Sequence, residues 1–133
     1  MAALPDDVRG LLEARNFAHV ASVLPDGSPH SVPVWIGVEG EYVVFFTQPG
    51  SRKARNLARD PRVAISLVDL ENPYRSAQLR GRVVGTVEGE EALEIIDRLA
   101  AKYTDEPFPM RTGIVFLVEP ERARETVLPF RHT

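Results

Sequence analysis

Six consecutive residues, Tyr42-Val43-Val44-Phe45-Phe46-Thr47, constrain the fold more than any other stretch of this chain. Every one is aromatic or β-branched, and the run is bounded by Glu39-Gly40-Glu41 on one side and Pro49-Gly50 on the other. It is too short for an ordinary helix and its ends are turn-forming, so it predicts a strand. Its side chains are apolar on both faces, so the strand needs cover on both.

The neighbouring segments supply that cover. Pro5 and the helical spacing of Val8, Leu11 and Leu12 predict a short helix near 5–15. Strands are expected over 17–23 and 30–38, joined by the turn Pro25-Asp26-Gly27-Ser28. A helix over 51–60, ended by Pro61, leads to a strand over 62–70 with Val63, Ile65 and Leu67 on one face. Residues 71–76 read as irregular, and 77–88 as a long strand in which Gly81 and Gly85 mark bulges or bends. Residues 90–103 read as an amphipathic helix with Leu93, Ile96, Leu99, Ala100 and Tyr103 in one stripe. A Pro-rich loop, 104–113, and two closing strands, 114–118 and 125–128, complete the chain. Hairpin-linked strands outnumber helices, which predicts a mainly β domain over 1–133: an antiparallel barrel with peripheral helices.

Composition removes several chemistries. With no cysteine there is no disulfide, thiolate nucleophile or Cys-ligated metal, and His19, His30 and His132 are not at metal-ligand spacing. No apolar run is long enough to span a membrane, and the N-terminus lacks a signal-peptide pattern, so a cytoplasmic protein is expected. A formal net charge of −3 and one basic cluster without interleaved aromatics argue against a nucleic-acid module.

The basic cluster itself needs a reason. Arg52, Lys53 and Arg55 fall in the first turn of the helix over 51–60, just after the N-cap candidate Ser51. The N-terminal end of a helix carries partial positive charge, so each cation there costs roughly 0.3–1 kcal/mol at low salt. A bound anion reverses the sign. Free backbone N–H groups, the Thr47 and Ser51 hydroxyls and the cations can then converge on one phosphate. The alternative is a solvated basic helix face, against which stands the Thr47-x₃-Ser51-Arg52-Lys53 spacing behind a buried strand.

Residues 44–53, Val-Phe-Phe-Thr-Gln-Pro-Gly-Ser-Arg-Lys, resemble the phosphate-binding stretch of the pyridoxamine 5′-phosphate oxidase-like split β-barrel proteins. Residues 71–75 (Glu-Asn-Pro-Tyr-Arg), 79–84 (Leu-Arg-Gly-Arg-Val-Val) and 96–104 (Ile-Asp-Arg-Leu-Ala-Ala-Lys-Tyr-Thr) are similar to the class B flavin/deazaflavin oxidoreductases of actinobacteria, which typically bind coenzyme F420. The resemblance implies a homodimer with two cofactor sites at the subunit interface. It maps Thr47, Gln48, Ser51, Arg52, Lys53 and Asn56 onto the phosphate side of the cofactor, and the strand containing Ser31, Val32, Pro33 and Val34 onto the backbone beside the ring. Gln78 and Arg80 match a Gln-x-Arg that, in the oxidases, approaches the ring from the other subunit. The Arg and Lys that hold FMN in those oxidases fall near Ser31 and Ile36 here, neither of them basic, which tilts the expected cofactor from FMN to the deazaflavin. No counterpart of their pyridoxal-phosphate segment is seen up to Thr133, so oxidase activity on pyridoxamine phosphate is not expected.

The resulting expectation is an oxidoreductase in which coenzyme F420 exchanges hydride with a small unsaturated or electron-poor substrate. FMN chemistry on the same barrel and a non-catalytic carrier of cofactor or a haem-like molecule are the alternatives. Trp35 is either packing or a pocket wall, His30 is a candidate proton donor or a structural strand histidine, and residues 107–110 are either a flap or a stiff connector. Tyr74 and Arg75 are candidates for the pocket mouth.

Overall fold

The computed structural model describes residues 4–131. His132, and the first three residues that bear on the signal-peptide argument, lie outside that range. The order of elements is α1 (Asp6–Glu13), β1 (Ala18–Val23), β2 (Pro29–Val34), β3 (Gly37–Glu39), β4 (Tyr42–Thr47), α2 (Arg52–Arg59), β5 (Arg62–Asp69), β6 (Asn72–Val87), α3 (Gly89–Thr104) and β7 (Ile114–Val127). The strands form one antiparallel sheet in the order β2-β1-β5-β6-β7-β4-β3. Its two edge strands are consecutive in sequence and joined only by Trp35 and Ile36. The chain thus closes a cylinder whose hydrogen-bond ladder is open at that seam: a split β-barrel.

β4 is buried on both faces, as its composition requires. Val43 and Phe45 join the main core with Val8, Leu11 and Leu12 of α1, Leu57 of α2 and the inward residues of β5 and β6. Val44 faces outward into a second cluster with Ala92 and Ile96 of α3 and Val115 of β7. The acidic residues Glu88, Glu90, Glu91 and Glu94 are exposed around the start of α3, where negative charge suits the helix dipole.

Three boundaries differ from expectation. The strand expected over 30–38 breaks at Trp35-Ile36, because β2 pairs with β1 while β3 pairs with β4. Residues 72–76 are strand rather than irregular: the ladder shifts between Val68 and Asp69, and this bulge absorbs Pro73, which has no N–H to donate. The two closing strands are one, β7, because Pro120 sits at a second register shift opposite Gly81. Gly81 permits that approach, since a Cβ there would stand 2.2 Å from the carbonyl oxygen of Glu119. The bulges expected at Gly81 and Gly85 are both present.

Candidate functional site

α2 begins where β4 ends. Ser51 caps it: the hydroxyl accepts from the Ala54 amide at 3.1 Å and from the Thr47 hydroxyl at 3.0 Å. The end of β4 and the first turn of α2 are thereby fixed to each other, with no acidic residue in that turn. Arg52 and Arg55 are exposed. Lys53 is half-buried, and burial holds its ammonium below the usual lysine range. Its Nζ lies 5.9 Å from the centre of the Phe45 ring. Among the described residues no carboxylate pairs with it. A partly desolvated cation without a counter-ion is an unfavourable arrangement that an anion relieves.

Lys53 opens onto a cavity of about 340 Å³ lined by Phe17, Pro33, Val34, Trp35, Phe46 and Phe108. Trp35 stacks on Tyr103 with centroids 5.4 Å apart, and Phe108 meets both Trp35 and Phe46 edge-on, at 6.0 and 5.1 Å. Trp35 is therefore both packing and pocket wall. A planar aromatic body carrying a phosphate matches the chemistry of this lining: π-faces on the walls, a cation and a helix N-terminus at one end. The resident groups fit a flavin-type cofactor, which Thr47, Ser51, Arg52 and Lys53 would hold.

The loop 105–113 closes over the same region. Arg111 binds Asp97 through both guanidinium nitrogens, at 2.9 and 3.0 Å, and donates to the Phe108 carbonyl. That guanidinium also keeps the Asp97 carboxyl below its usual range. Gln48 exchanges two hydrogen bonds with Thr112, at 2.8 and 2.7 Å, so its amide anchors this loop to the start of α2. Asn56 is fully buried and donates to the Ser22 hydroxyl at 3.1 Å, fastening α2 to β1. His30 is the cross-strand neighbour of Ser22, and its Nδ1 is buried without a partner among the described residues. Arg75 ties β6 to Glu125 and Asp69 and reaches the Asp7 carbonyl; it stitches strands together rather than shaping the pocket mouth. Tyr74 packs on Phe130.

The remaining candidates stand elsewhere. Gln78 and Arg80 point from β6 to the outer face of the sheet, where they line a groove of about 520 Å³ with His19, Ser31, Arg122 and Arg124. The stretch 31–34 serves both places: Ser31 faces the groove, Pro33 and Val34 at the end of β2 border the Lys53 cavity, and Val32 packs against the core. One chain thus carries two separated groups of candidate site residues. Sequence reasoning missed Phe17, Phe46, Arg122 and Arg124. The Arg-x-Arg alternation at 122–124 was a readable signal, hidden by the break expected between two strands there. Among the described residues no group of His, Asp and Glu is placed to hold a metal, and no helix is long and apolar enough to cross a membrane.

A family model described as pyridoxamine 5′-phosphate oxidase matches residues 4–126. The chain belongs to the pyridoxamine 5′-phosphate oxidase family. Solved structures place it within that fold. One described as an F420 reductase is 29% identical, with 91% of this chain and 98% of the other covered and a TM-score of 0.79. A conserved hypothetical protein of Mycobacterium tuberculosis is 23% identical over 100% of this chain and 93% of its own, with a TM-score of 0.80. General Stress Protein 26 of Bacillus anthracis shares the fold at 13% identity, covering 91% and 92%, with a TM-score of 0.71. No curated protein sequence matches this chain.

Proposed function

We propose that this protein is an oxidoreductase that binds coenzyme F420 and serves its hydride exchange with a small unsaturated or electron-poor substrate. The observation that carries the reading is Lys53: a half-buried cation at the capped start of α2, without a carboxylate partner among the described residues, opening onto an aromatic-walled cavity. The deazaflavin, when bound, supplies the hydride chemistry. The chain supplies the rest. Ser51, Thr47, Arg52 and Lys53 hold the phosphate, Trp35, Phe46 and Phe108 exclude water, and the backbone of Pro33 and Val34 borders the ring side. Support for the deazaflavin over FMN comes from the likeness to the F420 reductase at 29% identity and from the non-basic Ser31 and Ile36.

The separation of Gln78 and Arg80 from the α2 end supports a homodimer in which each chain lends its groove residues to the other chain's site. The second reading is FMN chemistry on the same scaffold, favoured by the family model itself. Equilibrium titrations of the purified protein with FMN and with oxidised coenzyme F420, side by side, separate the two. Saturable F420 binding in the micromolar range, with turnover of its reduced form, is the expected result. A flavin spectrum on purification, or F420 binding absent at tens of micromolar, overturns the proposal.

A further inference from the structure

Hydride addition to an unsaturated carbon leaves a negative charge, so the reaction also needs a group that releases a proton near neutral pH. His30, the candidate offered by the sequence, shares a face with the buried Ser22, and its Nδ1 is enclosed. His19 alternates to the opposite face of β1 and stands exposed in the groove with Gln78 and Arg80. The rung through it continues as Ser66, Gln78 and Arg124 across β5, β6 and β7. Ser66 and Ala64 are small, which leaves a low floor between His19 on β1 and the side chains of β6, two strands or about 10 Å away. Among the described residues His19 makes no hydrogen bond or ion pair. Of the groove's lining residues it alone can give up a proton near neutral pH, because guanidinium groups keep theirs and serine hydroxyls are far weaker acids. The wall that faces it is made of donors. Arg80 lies opposite Arg122, neither with a carboxylate partner among the described residues. With the Gln78 amide oxygen turned to Arg124, accepting from Nε at 3.2 Å and from Nη2 at 3.1 Å, the N–H groups of that amide are left for the groove.

We infer that His19 is the general acid of the shared site and that the substrate is a carbon–carbon double bond conjugated to a carbonyl. The inference rests on the reading above, in which the groove is lent to the partner chain's cofactor. Hydride from the reduced deazaflavin forms a C–H bond at the β-carbon, and the π pair of the double bond moves towards the carbonyl oxygen as an enolate. An N–H bond of the His19 imidazolium then breaks, and its proton forms the second C–H bond at the α-carbon. The alkene is reduced by two electrons, the deazaflavin is oxidised by two, and solvent returns a proton to the neutral imidazole. The donor wall fits the other half of this chemistry: guanidinium and amide N–H groups stabilise the charge that develops on the carbonyl oxygen. The charged groups that line the groove with His19 are Arg80, Arg122 and Arg124, and no carboxylate lines it. Those cations disfavour the imidazolium and so make it a readier acid.

The test joins kinetics to a readout that needs no turnover. Wild type and His19→Gln, both titrated with F420 to establish binding, are given the reduced cofactor and one of two acceptors. Cyclohex-2-enone needs a proton with its hydride; methylene blue, a cation, becomes neutral on taking hydride and needs none. His19→Gln should slow the enone reaction about a hundredfold more than the methylene blue reaction, the scale of general acid catalysis. Enone turnover by wild type should also fall as pH rises through the histidine range, and that limb should be missing in the variant. The second readout is imidazole NMR of the full chain with oxidised F420 and phenol, a stable enol. The chain has only three histidines, so comparison with His19→Gln and His30→Gln assigns the signals. Phenol should shift the His19 signals and leave those of His30 in place. Equal slowing of both acceptors, or a response of His30 in place of His19, overturns the assignment of His19. Wild type that reduces methylene blue but not the enone overturns the substrate class. F420 binding absent at tens of micromolar overturns the cofactor reading and this inference with it, whereas any of the other failures with F420 bound leaves that reading standing.

Discussion

At the scale of single residues, Lys53 is where physical chemistry and sequence meet. Its ammonium is disfavoured by burial, and among the described residues no acid pairs with it. Removing it leaves the core untouched, because Leu57 and Ala54 make the helix's apolar contacts. Lys53→Ala should therefore weaken cofactor binding by about 1.5–3 kcal/mol, the range for a hydrogen bond to a charged group, without shifting the urea midpoint downward. Normal binding by this variant would place the phosphate elsewhere. Because its pKa is lowered, affinity should also fall as pH rises through the alkaline range, when the ammonium loses its proton. The proposed holding set of Thr47, Ser51, Arg52 and Lys53 stands out in the sequence because its members lie close together and its cations oppose the helix dipole. For Asn56 and Gln48, whether the polar side chain turns to a ligand, to Ser22 or to Thr112 depends on what the fold brings beside it.

At the scale of elements, β6 and β7 form the long spine that sets the groove and the barrel wall. Their closest approach is at Gly81, where an added Cβ meets backbone rather than a yielding side chain. Gly81→Ala is expected to destabilise by about 1–3 kcal/mol or more, the cost of overpacking, read as a lower urea midpoint. An unchanged midpoint would mean that the bulge at Pro120 relaxes freely. The loop 105–113 is an element of the opposite kind, held at its C-terminal end by the Arg111–Asp97 and Gln48–Thr112 pairs and inserted through Phe108. Breaking its latch with Arg111→Ala should raise both the association and the dissociation rate of the cofactor in stopped-flow fluorescence. Unchanged rates would make the loop a plain connector. The sequence located this loop by its prolines; its latch rests on a salt bridge between residues 14 apart in the chain, which composition does not specify.

At the scale of the whole molecule, the seam between β2 and β3 is held from outside by α3. Lys102 donates to the Leu12 carbonyl at 2.9 Å and to the Ile36 carbonyl, and the Tyr103 hydroxyl accepts from the Ile36 amide at 3.2 Å and donates to the Asn16 carbonyl. Burial lowers the Lys102 pKa from 10.5 to about 8. The folded protein therefore releases this proton near pH 8, while the unfolded chain keeps it to about pH 10.5. Between those values the unfolded state binds more protons, so this group's contribution to stability grows as pH rises through the window. Melting temperatures from pH 7 to 9.5 should show that trend, reduced in Lys102→Gln; an identical profile in the variant would remove Lys102 as its source. The proposed dimer has its own test. Lys53→Ala and Arg80→Ala chains, each weak alone, should regain one cofactor site per mixed dimer, whereas binding by an isolated monomer at full strength would refute shared sites.

The sequence by itself determined most of the strands, the three helices, the Ser51-capped, cation-bearing start of α2 and the bulges, because these rest on periodicity, capping and backbone permissiveness within a few residues. Only the tertiary structure decided where the ladder splits, that residues 72–76 and 119–124 are strand, and which arginines stand opposite one another. Those outcomes depend on pairing partners far along the chain: Gly81 admits Pro120, and Arg80 meets Arg122, only once β6 and β7 lie side by side.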